Sequence, residues 1–296
     1  MTPALRLFRV PSERHPSLVL EVDGRPLDLS GWLDDSAPAA PRSVLELAAD
    51  GFFERAPLES ALGRGRWREV RPLGQLLVPI ETEQVGKVLA LGKNFREHAA
   101  EFGEAVPEEP LFFNKLPETL IPHGASVKVP SWYIGRVDHE AELAVVIGRA
   151  GRDIPEARAL EHVAGYTVAD DLTLRTLQGD DRNRKYPWFR AKNFDGACPL
   201  GPCFVPRDFL DIGDLRVTAT VRHADGSEEL RQNATTRDFV VNVPQALAWL
   251  SRHLTLHLGD IVLMGTPAGV GPLVGGDEVT CAIERIGSLT TPIERF

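Results

Sequence analysis

The sequence predicts an α+β fold that is predominantly β and is organised around one large irregular sheet or barrel. Short apolar runs, several of them alternating with polar residues, recur along most of the 296 residues, and such runs are typical of strands. Few segments carry the longer apolar period of an amphipathic helix. No strand–helix–strand unit repeats at regular spacing, which argues against a parallel α/β sheet.

The first 80 residues are predicted to form a small β-rich N-terminal domain. Residues 18–22 form an apolar run that ends at Asp23-Gly24, a dipeptide typical of a tight hairpin turn. Ser43 is a good helix N-cap, so a short helix is expected over residues 44–47. No motif with chemical content occurs in this domain.

Residues 81–296 are predicted to form a larger second domain. Apolar or alternating runs predict strands at 88–92, 141–147, 215–221 and 261–264. Residues 278–296 again alternate between apolar and polar side chains, which also predicts β structure. A helix is expected after Pro155, through about His162, because proline and acidic residues favour a first turn. A second helix is expected from Pro244 to His253.

Composition excludes several classes of protein. The formal charge is −9, with 43% hydrophobic and 25% charged residues, so neither a disordered chain nor a general nucleic-acid binder is indicated. No apolar run reaches the ~18 residues of a membrane-spanning helix, and no secretory signal is recognisable. Three cysteines are too few for a disulfide framework. We therefore expect free thiols and a cytoplasmic location.

Two carboxylates stand at the start of a strongly apolar strand. Glu140 and Glu142 share one face of that strand, because successive side chains alternate. Two like charges there are costly unless a cation offsets them, and carboxylate oxygens favour Mg²⁺ or Mn²⁺ over zinc. The acidic pair Asp170-Asp171 could supply a third ligand, although the residues alone do not decide which acid does so, and all these acids could equally be solvated.

Five segments, taken together and in this order, resemble the fumarylacetoacetate hydrolase family over about two-thirds of the chain. They are GKNFREHAAE (92–101), HEAEL (139–143), GYTVADDLTLRTLQ (165–178), WFRAKNFDGACPLGP (188–202) and GDIVLMGTPAGVG (259–271). The resemblance implies a distorted β-roll or barrel around one divalent ion, a variable N-terminal extension and, in most members, a homodimer. Matched residue by residue, it implies that Glu140, Glu142 and Asp171 bind Mg²⁺, with Mn²⁺ or Ca²⁺ as substitutes.

The same resemblance assigns catalytic and substrate-binding residues. His98 and Glu101 lie three apart in an expected helical turn over residues 96–102, and such a pair can take a proton from water. Lys192 is placed beside the metal, where an ammonium stabilises enolate charge. The substrate-binding residues are expected to be Gln178, Thr266, Gly265, Arg96 and Arg175. Lys115 and Arg190 are further candidates for binding an anion, with a weaker match.

These residues predict Mg²⁺-dependent hydrolysis of a C–C bond in a 2,4-dioxo acid of the acylpyruvate type, through a metal-stabilised pyruvate enolate. The alternative is an isomerase or decarboxylase that acts on a 2-hydroxy-dienoate diacid of aromatic catabolism or on oxaloacetate. Lys93, which stands where many relatives have leucine, could select a second acidic group on the substrate. A minor alternative is a non-catalytic metal-dependent ligand-binding protein. In each case the partner is a small anionic 2-oxo acid.

Overall fold

The computed structural model describes residues 5–12, 16–29, 43–64, 68–70, 73–101, 103 and 105–295. These residues form nineteen strands, which we number along the chain: β1 (Leu5–Val10), β2 (Ser17–Val22), β3 (Arg25–Asp28), β4 (Arg68–Glu69), β5 (Val88–Gly92), β6 (Leu111–Lys115), β7 (Leu120–Ile121), β8 (Val127–Lys128), β9 (Val137–Asp138), β10 (Ala141–Ile147), β11 (Val163–Asp170), β12 (Thr173–Leu174), β13 (Cys198–Pro206), β14 (Arg216–Arg222), β15 (Glu228–Thr235), β16 (Ile261–Leu263), β17 (Pro272–Leu273), β18 (Glu278–Ile283) and β19 (Gly287–Glu294).

The helices are short and lie between the strands. The α-helices are α1 (Val44–Ala49), α2 (Arg55–Arg64), α3 (Arg96–Glu101), α4 (Arg175–Asn183), α5 (Phe189–Lys192) and α6 (Val243–His253). Short 3₁₀ helices cover Thr82–Gln84, Pro117–Thr119, Glu156–His162, Arg207–Phe209 and Thr236–Asp238. The predominantly β α+β class predicted from the sequence is confirmed.

The strands form three mixed or antiparallel sheets. The largest has eleven strands in the order β4-β3-β2-β1-β13-β11-β10-β16-β5-β6, with β7 paired to β13. A five-stranded sheet runs β15-β14-β18-β19-β8, and a three-stranded sheet runs β12-β9-β17. Within the ranges described, each sheet is an open path of strands and none closes into a barrel.

Strand β10 occupies the middle of the large sheet and is buried on both faces. It pairs antiparallel with β11 on one side and with β16 on the other. Leu143 and Val145 pack into one hydrophobic cluster, whereas Ala144 and Val146 pack into the other. The predicted alternation of side chains is therefore present, and the acidic residues Glu140 and Glu142 stand where this buried strand begins.

Most elements predicted from local patterns are present. Asp23 and Gly24 join β2 to β3 with φ of 48° and 77°, the left-handed values that a two-residue hairpin turn requires. Ser43 caps α1 through a reciprocal bond with Glu46, as in a capping box. The helix expected after Pro155 is a 3₁₀ helix. Phe102 and Phe296, which end two predicted elements, lie outside the described residues.

The N-terminal strands continue the large sheet. Leu7 of β1 is the register partner of Phe204 of β13, so β1 to β4 form one end of that sheet. The division of the chain at residue 80 stays a prediction, as does the homodimer. All three cysteines, Cys198, Cys203 and Cys281, are buried free thiols, as expected. In the described part of the chain, none of the helices is both long enough and apolar enough to cross a bilayer.

Candidate metal centre and active site

Three buried carboxylates converge where β10 begins and β11 ends. The antiparallel register pairs Ala141 with Asp170, and the Asp171 amide donates to the Glu140 carbonyl at 2.9 Å. This pairing brings the ends of the two strands together, so that carboxylate oxygens of Glu140, Glu142 and Asp171 lie within 4.8 Å of one another. The three acids named from the sequence therefore form one cluster.

Two of the three acids are paired with buried cations. The Lys192 ammonium donates to Glu140 Oε2 at 2.7 Å and to Asp171 Oδ2 at 2.6 Å. Lys115 Nζ lies 2.8 Å from Asp171 Oδ1, and Arg175 pairs with Glu140 Oε1. Burial opposes the ionisation of Glu140, but Lys192 and Arg175 prevail and hold its pKa well below the usual range.

Glu142 differs, because none of the described residues forms an ion pair with it. Its Oε2 accepts a hydrogen bond from the Gly265 amide at 2.7 Å. Burial, together with the charges of Asp171 and Glu140, raises the pKa of Glu142 well above its usual value. A buried carboxylate without a cation is destabilising. The cluster therefore fits a divalent cation, and its oxygen donors are those that hard cations prefer.

A pocket of about 190 Å³ opens onto the carboxylates. Its floor contains the acidic cluster and Lys192, and its walls include His98, Gln178 and Thr266. Phe113 and Trp188 pack edge to face at one side, with ring centroids 5.6 Å apart. Additional cationic residues line the same pocket, namely Lys93, Arg175 and Arg182.

Helix α3 presents an acid–base pair to this pocket. His98 Nδ1 lies 3.2 Å from Glu101 Oε2, and the other carboxylate oxygen of Glu101 accepts from the Gly269 amide at 3.2 Å. At the start of the helix, Asn94 donates to the carbonyls of Met264 and Val241 at 2.7 and 2.9 Å. These bonds tie both ends of the helix to neighbouring segments and fix the position of His98.

The glycine-rich segment after β16 faces the same site. Gly265 has φ of +85°, and a Cβ at this position would lie 2.8 Å from the Cβ of Asn94. Only glycine fits both the backbone conformation and this close approach. Its amide can therefore reach Glu142, and the next residue, Thr266, lines the pocket with 3% of its surface exposed.

Most of the site residues predicted from the sequence lie together, with two exceptions. Arg190 is exposed, donates to the Asp181 carboxylate at 3.0 Å and is not among the pocket-lining residues. Arg96 is exposed on α3 and is not among the pocket-lining residues. Sequence reasoning did not single out Asn94 or Gln232 and gave Lys115 little weight. It also left open the role of Asp170, whose Oδ1 accepts from the Glu140 amide at 2.7 Å. Asp170 thus fixes the backbone of a metal-ligand candidate, and burial raises its pKa to about 7.

His139, next to the acidic cluster, is fully buried and gives a pH-dependent prediction. Burial, followed by the charge of Arg231, lowers its pKa from 6.5 to about 4. Between these pH values the unfolded chain binds a proton that the folded chain does not, so the free energy of unfolding falls as the pH drops. We expect His139→Asn to reduce the stability loss between pH 7 and pH 4 by roughly 2 kcal/mol.

Denaturant titrations of the wild type and His139→Asn at both pH values measure this difference. His257→Asn, at an exposed histidine, is the control and should follow the wild type. An unchanged pH dependence in His139→Asn would show that this histidine titrates alike in the folded and unfolded chain.

Comparison with known proteins links this chain to one family. The family sequence model described as fumarylacetoacetate (FAA) hydrolase C-terminal matches residues 87–294. Among curated proteins, the chain is 42% identical over 209 residues to the oxaloacetate tautomerase YcgM of Escherichia coli, and the match covers 71% of this chain and 93% of that protein.

Two solved structures extend the comparison. The 5-carboxymethyl-2-hydroxymuconate delta-isomerase of Mycobacterium smegmatis is 33% identical, with a TM-score of 0.73 over 98% of this chain and 99% of its own. The fumarylpyruvate hydrolase of Pseudomonas aeruginosa, in complex with Mn²⁺ and pyruvate, is 32% identical, with a TM-score of 0.67 over 77% of this chain and 94% of its own. The relatives thus include a tautomerase, an isomerase and a hydrolase.

Proposed function

This chain belongs to the fumarylacetoacetate hydrolase family of metal-dependent enzymes, and we propose that it catalyses the keto–enol tautomerisation of a small 2-oxo diacid of the oxaloacetate type. The similarity to an oxaloacetate tautomerase and to a diacid isomerase supports this reaction. The isomerase alternative inferred from the sequence is thus better supported than the C–C hydrolase that was its main prediction. Because the family is enzymatic, a non-catalytic binding role is set aside.

One observation carries the proposal: a single pocket is lined by the acidic cluster, by His98 and by several cations. A 2-oxo acid has one carboxylate beside its keto group, and a diacid has a second carboxylate farther along. Lys93 and Arg182 line the pocket in addition to Lys192. Cations of this kind favour a substrate with two acidic groups.

Tautomerisation moves one proton from C3 of the keto acid to its 2-oxo oxygen, or the reverse. Glu140, Glu142 and Asp171 would hold Mg²⁺, with Mn²⁺ or Ca²⁺ as substitutes, and the cation would supply Lewis acidity to a bound 2-oxo acid. His98, held at Nδ1 by Glu101, exchanges the C3 proton through its other ring nitrogen. The Lys192 ammonium stabilises negative charge on the enolate oxygen, and Gln178 and Thr266 orient the substrate.

Hydrolysis of a C–C bond in a 2,4-dioxo acid is the second candidate. The pairing of His98 with Glu101 favours it, because such a pair can also deprotonate a water. The similarity to fumarylpyruvate hydrolase supports the same candidate. Decarboxylation of oxaloacetate would use the same enolate without an attacking water.

A panel of substrates with Mg²⁺ tests these reactions. The expected result is that the enzyme accelerates the loss of enol-oxaloacetate absorbance far above the buffer rate, with little pyruvate released. Rapid cleavage of fumarylpyruvate or acetylpyruvate, without acceleration of tautomerisation, would instead establish the hydrolase. Pyruvate formed from oxaloacetate would identify the decarboxylase.

A further inference from the structure

A glutamine outside the predicted site uses its whole amide group to join the start of β10 to the glycine-rich segment after β16. Gln232 lies in β15 and is 0% exposed. Its Oε1 accepts from the Ala141 amide at 3.0 Å and from His139 Nδ1 at 3.3 Å. Its Nε2 donates to Thr266 Oγ1 and to the Pro267 carbonyl, both at 2.7 Å. An amide has two donor hydrogens and one carbonyl acceptor, and all of them have partners here.

The orientation of this amide is fixed by backbone groups whose polarity is known. The Ala141 amide can only donate, so the atom facing it must be the amide oxygen. The Pro267 carbonyl can only accept, so the atom facing it must be the amide nitrogen. The reversed orientation would place two donors together and two acceptors together, at a cost of several hydrogen bonds in a fully buried place.

This orientation decides what the Thr266 hydroxyl can do. Thr266 Oγ1 receives a hydrogen from Gln232, so a lone pair is occupied and the hydroxyl hydrogen remains to be donated. Within the described residues, no protein group accepts that hydrogen, and Thr266 lines the pocket. The hydroxyl hydrogen is therefore available to whatever occupies the pocket.

We propose that Gln232 is a positioning residue that makes Thr266 a hydrogen-bond donor to a carboxylate of the substrate. This inference rests on the proposed function, because it takes the ligand to be a 2-oxo acid. A carboxylate has only acceptor atoms, so it binds a hydroxyl whose hydrogen points into the pocket and is repelled by one whose lone pair does. Gln232 selects between these two hydroxyl orientations without contacting the substrate.

Gln232→Glu should reverse the orientation of the Thr266 hydroxyl with almost no change in the shape of the side chain at position 232. A carboxylate at this position accepts the Thr266 hydrogen and withdraws it from the pocket. We expect KM for oxaloacetate, and Kd for pyruvate measured by calorimetry with Mg²⁺, to rise roughly 10- to 100-fold, the range for loss of one hydrogen bond to a charged group. The kcat and the Mg²⁺ affinity should change less than about threefold, whereas a general structural defect would lower both.

A double-mutant cycle connects the effect to Thr266. Thr266→Val, which removes the donor and keeps the shape, should raise Kd for pyruvate by a similar factor, and Thr266→Ser should not. In the Thr266→Val background, Gln232→Glu should add little, because the hydroxyl it acts on is absent. Gln232→Met introduces no buried charge and replaces Gln232→Glu in this test if the glutamate variant does not fold. It should raise Kd for pyruvate several-fold, and it too should add little in the Thr266→Val background.

The controls separate this inference from the proposed reaction. Gln75→Glu, at an exposed position, should match the wild type. Pyruvate binding by a wild-type enzyme that does not tautomerise oxaloacetate would contradict the proposed function but leave this test intact. Equal pyruvate affinity in the wild type, Gln232→Glu and Gln232→Met, additive effects in the cycle, or no pyruvate binding at all would overturn the inference.

Discussion

Glutamine in place of Glu142 is expected to abolish divalent-cation binding and catalysis together. Glu142 is the member of the cluster to which the described residues supply no ion-pair partner, so its charge is the one that a bound cation would neutralise. An amide keeps the acceptor for the Gly265 N–H but loses the negative charge. We expect the Mg²⁺ affinity, measured by calorimetry, to fall by roughly 100-fold or more, and turnover to fall with it.

The stability of the metal-free variant distinguishes this loss from misfolding. In EDTA, Glu142→Gln should unfold at the same temperature as the wild type or at a higher one, because it removes a carboxylate whose ionised form is disfavoured by burial and by two acidic neighbours. Glu118→Gln, at an exposed acid, should bind Mg²⁺ normally. Tight Mg²⁺ binding by Glu142→Gln would remove this residue from the metal site.

Local sequence patterns were sufficient for the fold class and for several individual strands and helices. The strand 141–147 was predicted with its observed bounds, because a short run that is apolar except for Glu142 and ends at Gly148 is typical of a buried strand. The hairpin at Asp23-Gly24 and the N-cap at Ser43 were predicted because each depends on neighbours within a few residues. The order of strands in the sheets depends on contacts between distant segments, and the local patterns carry no such information.

The same distinction applies to the site. The spacing of Glu140 and Glu142 is local, so a shared face could be inferred, and the family resemblance supplied Asp171. The pairing of Lys115 with Asp171, or of Gln232 with Thr266, joins residues far apart in the chain. A lysine or glutamine in a strand looks like an ordinary exposed residue in sequence. Only its burial and partners reveal that it organises the pocket.

The charges of the site also explain why an acidic protein can attract an anion. The formal charge of the chain is −9, but the acids of the cluster are surrounded by Lys115, Lys192 and Arg175. A divalent cation bound by this group would make the pocket positive. The electrostatic potential at the pocket is set by these few nearby charges, because distant surface charges are screened by salt.

Replacement of His98 by glutamine is expected to remove catalysis while the metal site remains intact. His98 lines the pocket and carries an imidazole, the side chain that most often serves as a general acid or base, and positioned groups of this kind contribute roughly 10²- to 10⁴-fold to rate. Its ring is held by Glu101 on α3, and the helix is held in turn by Asn94. We expect kcat for enol-oxaloacetate to fall by roughly 10²-fold or more, with Mg²⁺ affinity unchanged.

The comparison of two reactions then assigns the role of this histidine. If His98 exchanges the C3 proton, His98→Gln lowers tautomerisation and any C–C hydrolysis alike, because each reaction passes through an enolate that gains or loses a proton at C3. If it only activates water, the variant loses hydrolysis and retains tautomerisation. Glu101→Gln should have a smaller effect than His98→Gln, since an amide can still contact both His98 and the Gly269 amide. His257→Gln, at an exposed histidine, is the control for a histidine-to-glutamine substitution and should match the wild type. Full turnover by His98→Gln in both reactions would show that another group in the pocket exchanges the proton.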